Sequence, residues 1–100
     1  MSLEQTTDRI RSHLPQLASL GYKVKFAIEG EGVVLIDATR VPATLSNEDA
    51  EADCTIRVSE DRLNQLIEGR MSPTLAYTQG QIKIDGSLGV AMKLASLLES

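Results

Sequence analysis

The sequence is poor in the residues that usually carry catalysis and in those that cross-link secreted proteins. It has one cysteine, one histidine and no tryptophan. A single cysteine excludes a disulfide within the chain, and the polar, acidic start of the sequence does not resemble a secretory signal, so we expect a cytoplasmic protein. No apolar run approaches the ~18 residues that a membrane-spanning helix needs. Any contact with a membrane is therefore expected to be peripheral and transient.

Basic residues are also too few and too scattered to form a nucleic-acid interface. Ten Lys and Arg against fourteen Asp and Glu give a net charge of −4, and the charges are spread along the chain. A surface that neutralises phosphates needs clustered cations, so we expect no nucleic-acid partner. A length of 100 residues with 42% apolar content fits one globular domain over residues 1–100.

No group of residues predicts catalysis or metal binding. His13 has no cysteine, serine or carboxylate at a spacing that would orient it for proton transfer. Cys54 alternates with Ile56 and Val58, which points its thiol into the core. The carboxylates between residues 48 and 53 lack the ligand spacing of a calcium loop. We therefore expect no enzymatic activity, no metal and no cofactor.

Hydrophobic periodicity predicts a helix and two strands in the first part of the chain. Apolar residues at helical spacing indicate a helix over residues 3–19, with a break near Leu14 because Pro15 removes an amide donor. Period-two alternation then predicts a strand over residues 23–29. A glycine turn and a nearly continuous apolar strand over residues 33–38 follow it, as in a hairpin.

The middle of the chain predicts two further strands separated by an acidic loop. Ala43 and Leu45 belong to a short alternating segment, which Pro42 restricts to a sheet edge. Residues 46–53 are polar and predict a loop. Alternation resumes over residues 54–58 and predicts the next strand.

Serines mark the starts of the remaining helices. Ser59 precedes a helix that ends before Gly69, and Ser72 precedes a short helix up to about residue 78. A last strand is predicted over residues 80–86, and Ser87 precedes a C-terminal helix over residues 88–98. This order of elements predicts an α+β fold with a mixed, mainly antiparallel sheet that helices cover on one face.

The C-terminal helix is more apolar than one core contact requires. Apolar side chains cover more than half of its circumference, whereas a helix that rests on one core needs a stripe of only ~100°. These residues are Leu88, Val90, Ala91, Met92, Leu94, Ala95, Leu97 and Leu98. The pattern leaves three explanations open: an ordinary thick core, a dimer interface, or the wall of an apolar binding cavity.

The C-terminal half resembles a known family. From Ala52-Asp53-Cys54-Thr55-Ile56 onward, and most specifically from Gly69 to Gly86 followed by Met92-Lys93-Leu94, it is similar to the sterol carrier protein type-two (SCP2) or non-specific lipid-transfer family. The shared pattern is Gly-basic-x-x-Pro, Ala-aromatic, Gly-x-x-x-Ile-x-Gly and Met-Lys-Leu. Ala95 stands where animal members commonly carry glutamine, and the sequence ends without a peroxisomal address. We expect a free-standing, bacterial-type member.

The resemblance implies a fold and a function. It implies a five-stranded sheet with about four helices that cover one face. An apolar tunnel between these two layers would hold a fatty acyl chain, acyl-coenzyme A, a sterol or an isoprenoid-like lipid. Family members are carriers or accessory domains, and we expect a lipid-binding protein that is a monomer or weak homodimer. The predicted lipid-binding residues are Phe26, Ile28, Leu35, Leu66, Ile67, Leu75, Tyr77, Ile82, Ile84, Leu88, Met92 and Leu97.

A tunnel of this kind has an energetic consequence. Ligand pockets measure ~300 to 1,000 Å³, and an empty rigid void of that size would cost roughly 7 to 24 kcal/mol. We therefore expect the protein to retain a lipid or to collapse partly, with the C-terminal helix as the moving wall. The alternatives are an interaction or dimerisation module that uses this helix, and an accessory domain of a lipid-metabolising enzyme. Tyr77 could direct its hydroxyl to a lipid head group or to solvent.

Overall fold

The computed structural model describes residues 3–40 and 42–98. Five strands form one mixed sheet in the order β3-β2-β1-β4-β5, in which β1 and β4 are parallel and the other neighbours are antiparallel. The predicted α+β class, the five-stranded sheet and the edge position of the third strand are confirmed. The strands are β1 Lys23–Ile28, β2 Gly32–Asp37, β3 Thr44–Ser46, β4 Cys54–Val58 and β5 Lys83–Gly86.

Five helices of the described residues lie against one face of this sheet. They are α1 Leu3–Ser12, α2 Leu14–Leu17, α3 Glu60–Ile67, α4 Pro73–Thr78 and α5 Leu88–Leu98. The predicted break near Leu14 is confirmed, because α1 ends one residue before His13 and α2 carries Pro15 in its first turn, where no amide donor is needed. A 3₁₀ turn over Ala18–Leu20 then leads to Gly21 and the sheet.

The predicted serine caps start three of the helices. The side-chain oxygens of Ser59, Ser72 and Ser87 each accept a hydrogen bond from the backbone amide three residues later, at 3.3, 3.4 and 3.3 Å. Each bond satisfies an amide that has no partner inside its own helix. Local chemistry thus sets where α3, α4 and α5 begin.

The last strand is shorter than the sequence predicts. It begins at Lys83, because the chain before it is still engaged in ending α4. The amide of Gly80 donates to the carbonyl of Tyr77 at 3.1 Å, and the amide of Gln81 donates to the carbonyl of Ala76 at 2.8 Å. An amide that donates its hydrogen bond to a carbonyl at the end of a helix cannot also donate to a neighbouring strand. Ile82 is buried but precedes the strand.

Gly86 makes the turn from β5 into α5 possible. Its φ of +92° is rare for residues with a side chain, and a Cβ there would lie 2.6 Å from the carbonyl oxygen of Asp53. That carbonyl oxygen accepts a hydrogen bond from the amide of Ser87 at 2.9 Å. The close approach of two backbone segments therefore requires glycine.

The two faces of the sheet differ in chemistry, as period-two strands require. On the helix-covered face, the core includes Val24, Phe26 and Ile28 of β1 and the fully buried Cys54 of β4. The other face carries ion pairs, among them Lys25 with Asp49 at 2.8 Å. Hydrogen bonding to Lys25 lowers the pKa of the Asp49 carboxyl. The described core therefore lies between the sheet and the helices.

Candidate functional site

An apolar cavity lies between the sheet and helices α3, α4 and α5. Its sheet side is a row of three side chains in register across neighbouring strands, Phe26 of β1, Ile56 of β4 and Ile84 of β5. The helix side and the segment before β5 supply the other lining residues, which are Leu66, Pro73, Ile82, Ala91, Met92, Leu94 and Ala95. No charged or polar side chain lines this cavity, so its walls can attract only apolar groups.

The cavity is small, and the tunnel that the family resemblance implies is not seen at this place among the described residues. Its volume is about 20 Å³, which is close to the space that one water molecule needs. Pockets that hold drug-sized ligands measure ~300 to 1,000 Å³. The walls meet because a rigid void loses the attraction between atoms on its two sides. An acyl chain can therefore enter only if a wall moves.

Five of the predicted lipid-binding residues line the cavity. They are Phe26, Leu66, Ile82, Ile84 and Met92. Ile28 belongs to the buried core around the cavity, and Ile67 and Leu97 pack against that core from its edge. These eight residues lie on or near the predicted layer between sheet and helices.

Three predicted residues lie with exposed side chains and do not line the cavity. The exposed fractions are 53% for Leu75, 37% for Tyr77 and 43% for Leu88. On α4 the buried side chain is that of Ala76, and successive helical residues are rotated by about 100°, so the neighbours on either side of it point outward. Leu88 lies at the first residue of α5, where fewer neighbours cover it.

The predicted position of Leu35 is wrong. Phe26 pairs with Val34, and Leu35 pairs with Lys25, whose side chain lies on the face away from the helices. Side chains that face each other across a strand pair share one side of the sheet. Val34 and Ile36, both fully buried, therefore face the helices, and Leu35 cannot line the cavity.

Five lining residues were missing from the prediction. They are Ile56, Pro73, Ala91, Leu94 and Ala95. Ile56 follows the same alternation that places Cys54 in the core. Ala91, Leu94 and Ala95 recur at spacings of three and four and so share one face of α5. The signals were therefore present, but small side chains and a proline at a helix start are less conspicuous than large apolar residues.

Cys54 is the buried thiol of the described core. Burial raises the pKa of the Cys54 thiol to about 11, with smaller contributions from Asp85 and Asp53, so the thiol stays protonated at neutral pH. Within residues 3–40 and 42–98, no three His, Cys, Asp or Glu residues come close enough to share a metal ion. No helix in the same part of the chain is both long and apolar enough to span a bilayer.

Helix α5 is covered mainly by its own chain. It packs against α2, the 3₁₀ turn, α4, β4 and β5. Val90, Ala91, Leu94 and Ala95 are buried in these contacts. Most of the apolar surface described for α5 is therefore used within the fold, and Leu88 is its one exposed large apolar side chain among those described.

Comparison with known proteins identifies one protein family over almost the whole chain. The sequence profile of the SCP-2 sterol transfer family matches residues 3–99. Bovine (Bos taurus) sterol carrier protein 2 is 46% identical over 55 residues, which is 55% of this chain and 10% of that protein. Hydroxysteroid dehydrogenase-like protein 2 of Danio rerio is 27% identical over 79 residues, 77% of this chain and 19% of that protein. The chain thus spans a tenth to a fifth of the length of these curated relatives.

A solved structure shares the fold over its full length. Palmitated SCP2L2 from Aedes aegypti superposes with a TM-score of 0.72 at 21% identity, over 100% of this chain and 96% of that chain. At this level of identity the likeness establishes the arrangement of strands and helices.

Proposed function

Because the chain belongs to the SCP-2 sterol transfer family, we propose that it binds a lipid by its apolar chain and carries it without chemical change. The candidates are a fatty acid, an acyl-coenzyme A, a sterol or an isoprenoid-like lipid. Residues 1–100 act in this proposal as one lipid-binding domain in the cytoplasm, either alone or as the accessory domain of a lipid-metabolising enzyme. The palmitate carried by the Aedes aegypti relative supports an acyl chain as the group bound.

The observation that carries the proposal is the composition of the cavity. All ten lining residues are apolar, and they come from the neighbouring strands β1, β4 and β5, from the segment before β5 and from three helices. Apolar walls select a ligand by length and lack of polarity, because they offer no hydrogen bond to a particular group.

Helix α4 is the wall that we propose to move. Its one main packing partner is α5, whereas α5 packs against five elements. Lys93 of α5 also lies 5.5 Å from the centre of the Tyr22 ring, a cation–π distance that ties α5 to the start of β1. The glycines on either side of α4, Gly69 and Gly80, have φ values of +76° and +75° with open space around them. The sequence had suggested α5 as the moving wall, but α5 is the better anchored of the two.

A movement of α4 would also give its exposed residues a role. Pro73 lies in the cavity wall, while Leu75 and Tyr77 lie on the outer side of the same short helix. Rotation of α4 away from α5 would bring these side chains to the rim of the widened cavity. The predicted contact of Leu75 and Tyr77 with lipid remains part of this proposal.

A disulfide between α4 and α5 tests the proposal. Thr74 Oγ1 donates to Met92 Sδ at 3.9 Å, so the double variant Thr74→Cys/Met92→Cys places two thiols at the contact between the helices. Lipid binding is measured by displacement of a neutral pyrene-labelled hydrocarbon with dodecanol. We expect the oxidised variant to lose dodecanol binding and dithiothreitol to restore it.

The reduced double variant is the matched control, since it carries the same substitutions without the cross-link. Loss of free thiols on oxidation verifies the disulfide; equal binding by this cross-linked form and the reduced form would show that α4 is not the moving wall. Failure of dodecanol to bind the unmodified protein better than an unrelated globular protein, together with no lipid in native mass spectra or solvent extracts, would end the proposed function itself.

A further inference from the structure

A polar groove of about 400 Å³ lies at one end of the sheet, beside α3. It is located where β1 and β4 end and where β2 and β5 begin. Three cations line it, Arg57 at the end of β4, Arg62 in α3 and Lys83 at the start of β5. One carboxylate, that of Glu29, lines it as well. The groove is thus locally positive on a chain whose net charge is −4.

Two of these cations have no anionic partner among the residues that the structure describes. Arg57 Nε donates to Asp85 Oδ2 at 2.8 Å on the open face of the sheet. The guanidinium of Arg62 and the ammonium of Lys83 make no ion pair within the described part of the chain, although most of the other described cations do. Their charges therefore remain available to a ligand.

The arrangement of the cations works against folding. Arg57 and Lys83 are directly opposite each other in the antiparallel pair of β4 and β5. Like charges at facing positions destabilise a sheet, whereas opposite charges stabilise it. Asp85 offsets the repulsion only in part, since it contacts Arg57. An anion held between the cations would offset the rest.

The groove adjoins the apolar cavity. Ile82 lines both of them. Phe26 lines the cavity and Ile28 lines the groove, and these two residues follow each other on the same face of β1. Two residues along a strand span about 6.8 Å. An alkyl chain that leaves the widened cavity past Ile82 would therefore place its polar end in the groove.

We propose that this groove binds the anionic head group, a carboxylate or a phosphate, of the lipid whose alkyl chain occupies the cavity. The inference rests on the proposed function and adds a specificity to it. The apolar cavity sets chain length, and Arg62 and Lys83 select anionic lipids over neutral lipids of the same length.

The test compares three ligands with the same alkyl chain on four proteins. The ligands are dodecanoate, dodecyl phosphate and dodecanol, and the proteins are the parent, Arg62→Gln, Lys83→Gln and Arg11→Gln. Arg11 is an exposed cation of α1 that does not line the groove, and it serves as the matched control. Affinity is measured by displacement of the neutral pyrene probe at low and high salt.

We expect each groove variant to bind the two anionic ligands about 2- to 5-fold more weakly and dodecanol unchanged. The difference should shrink at high salt because the charges are exposed. Lys83→Gln should also unfold at the same or a higher urea concentration than the parent, since it removes the facing like charge. A merely structural role would lower stability and affect all three ligands alike.

Three other outcomes would overturn the assignment. Equal affinity of the groove variants and the parent for dodecanoate would remove the head-group site and leave the proposed lipid function standing if dodecanol still binds. Lys83→Gln could instead abolish binding of inorganic phosphate and leave the affinity for dodecanoate unchanged. The groove would then be a site for free anions. If neither dodecanol nor dodecanoate binds the parent protein, both proposals fail together.

Discussion

Lipid should stabilise the variant Ile56→Ala more than it stabilises the parent protein. Ile56 is buried between Phe26 and Ile84 in the row of side chains beneath the cavity. Ile56→Ala removes apolar atoms from the cavity wall, and such truncations cost about 2 to 5 kcal/mol in a core. The same change widens the cavity beyond its 20 Å³. An alkyl chain can then fill space that would otherwise require a wall to move.

The chain offers a closely matched control. Ile36 is the same residue type, is fully buried, and faces the helices from β2, which β1 separates from β4. It does not line the cavity. Ile36→Ala should therefore destabilise the protein by a similar ~2 to 5 kcal/mol, but lipid should not compensate for the loss.

Urea unfolding with and without dodecanol measures the difference. A ligand at one hundred times its dissociation constant stabilises a protein by about 2.7 kcal/mol. The three methyl and methylene groups lost from Ile56 are each worth ~0.8 kcal/mol when buried. Partial replacement of these groups by the alkyl chain should add about 1 to 2 kcal/mol to the gain of Ile56→Ala over that of Ile36→Ala.

An equal gain from dodecanol in the two variants would refute this reasoning, because it would show that the ligand does not occupy the space beside Ile56. Should either alanine variant fail to fold, the comparison can be made between Ile56→Val and Ile36→Val. Their expected losses are about 0.5 to 1.5 kcal/mol each.

Three further predictions concern local features of the fold. Gly86→Ala should lower the free energy of unfolding in urea by about 3 kcal/mol or more, and Gly80→Ala should lower it by about 1 to 2 kcal/mol. Both glycines have positive φ, but only at Gly86 would the added Cβ meet backbone atoms. Equal losses for the two variants would contradict this reason. The neighbouring carboxyl of Glu60 and desolvation raise the pKa of Glu31, so ionising Glu31 costs more in the folded state than in the unfolded state; Glu31→Gln should therefore be more stable than the parent at neutral pH, and this advantage should shrink as the pH falls. Cys54, with its pKa of about 11, should react with iodoacetamide only as fast as the protein unfolds.

The starts of the helices could be predicted because they depend on neighbours in sequence. Ser59, Ser72 and Ser87 each cap an amide three residues away, which is a relation that the sequence displays directly. The hydrogen-bond partner of the Gln81 amide could not be predicted in this way. Its amide had two possible partners, the end of α4 or the next strand, and only the folded structure decides between them.

The residues of β2 alone do not show which of its side chains face the helices. Residues 33–36 are continuously apolar, so no alternation shows which side is buried. The register comes from the hairpin, which places Ile28 opposite Gly32 and hence Phe26 opposite Val34. A slip of one residue reverses the faces of a strand. The prediction for Leu35 failed for this reason, although β1 alone showed a clear alternation.

The groove was invisible in the sequence for a related reason. Arg57 and Lys83 are 26 positions apart, and nothing near either residue indicates that they face each other. Only the pairing of β4 with β5 brings them together, and only the position of α3 adds Arg62. The apolar residues of the candidate site follow from periodicity within single elements, whereas its charged residues depend on contacts between elements.

The small size of the cavity explains why chain length should govern affinity. Widening it from about 20 Å³ to the ~300 Å³ of a small ligand pocket would cost roughly 7 kcal/mol if the space stayed empty. Eleven methylene groups of a dodecyl chain return about 9 kcal/mol when they leave water. The cost of widening the cavity and the gain from burying the alkyl chain nearly cancel. Each additional methylene then adds ~0.8 kcal/mol to the binding free energy, which is about fourfold in affinity. A cavity that closes between ligands thus keeps the empty protein stable and makes short, weakly apolar molecules poor competitors.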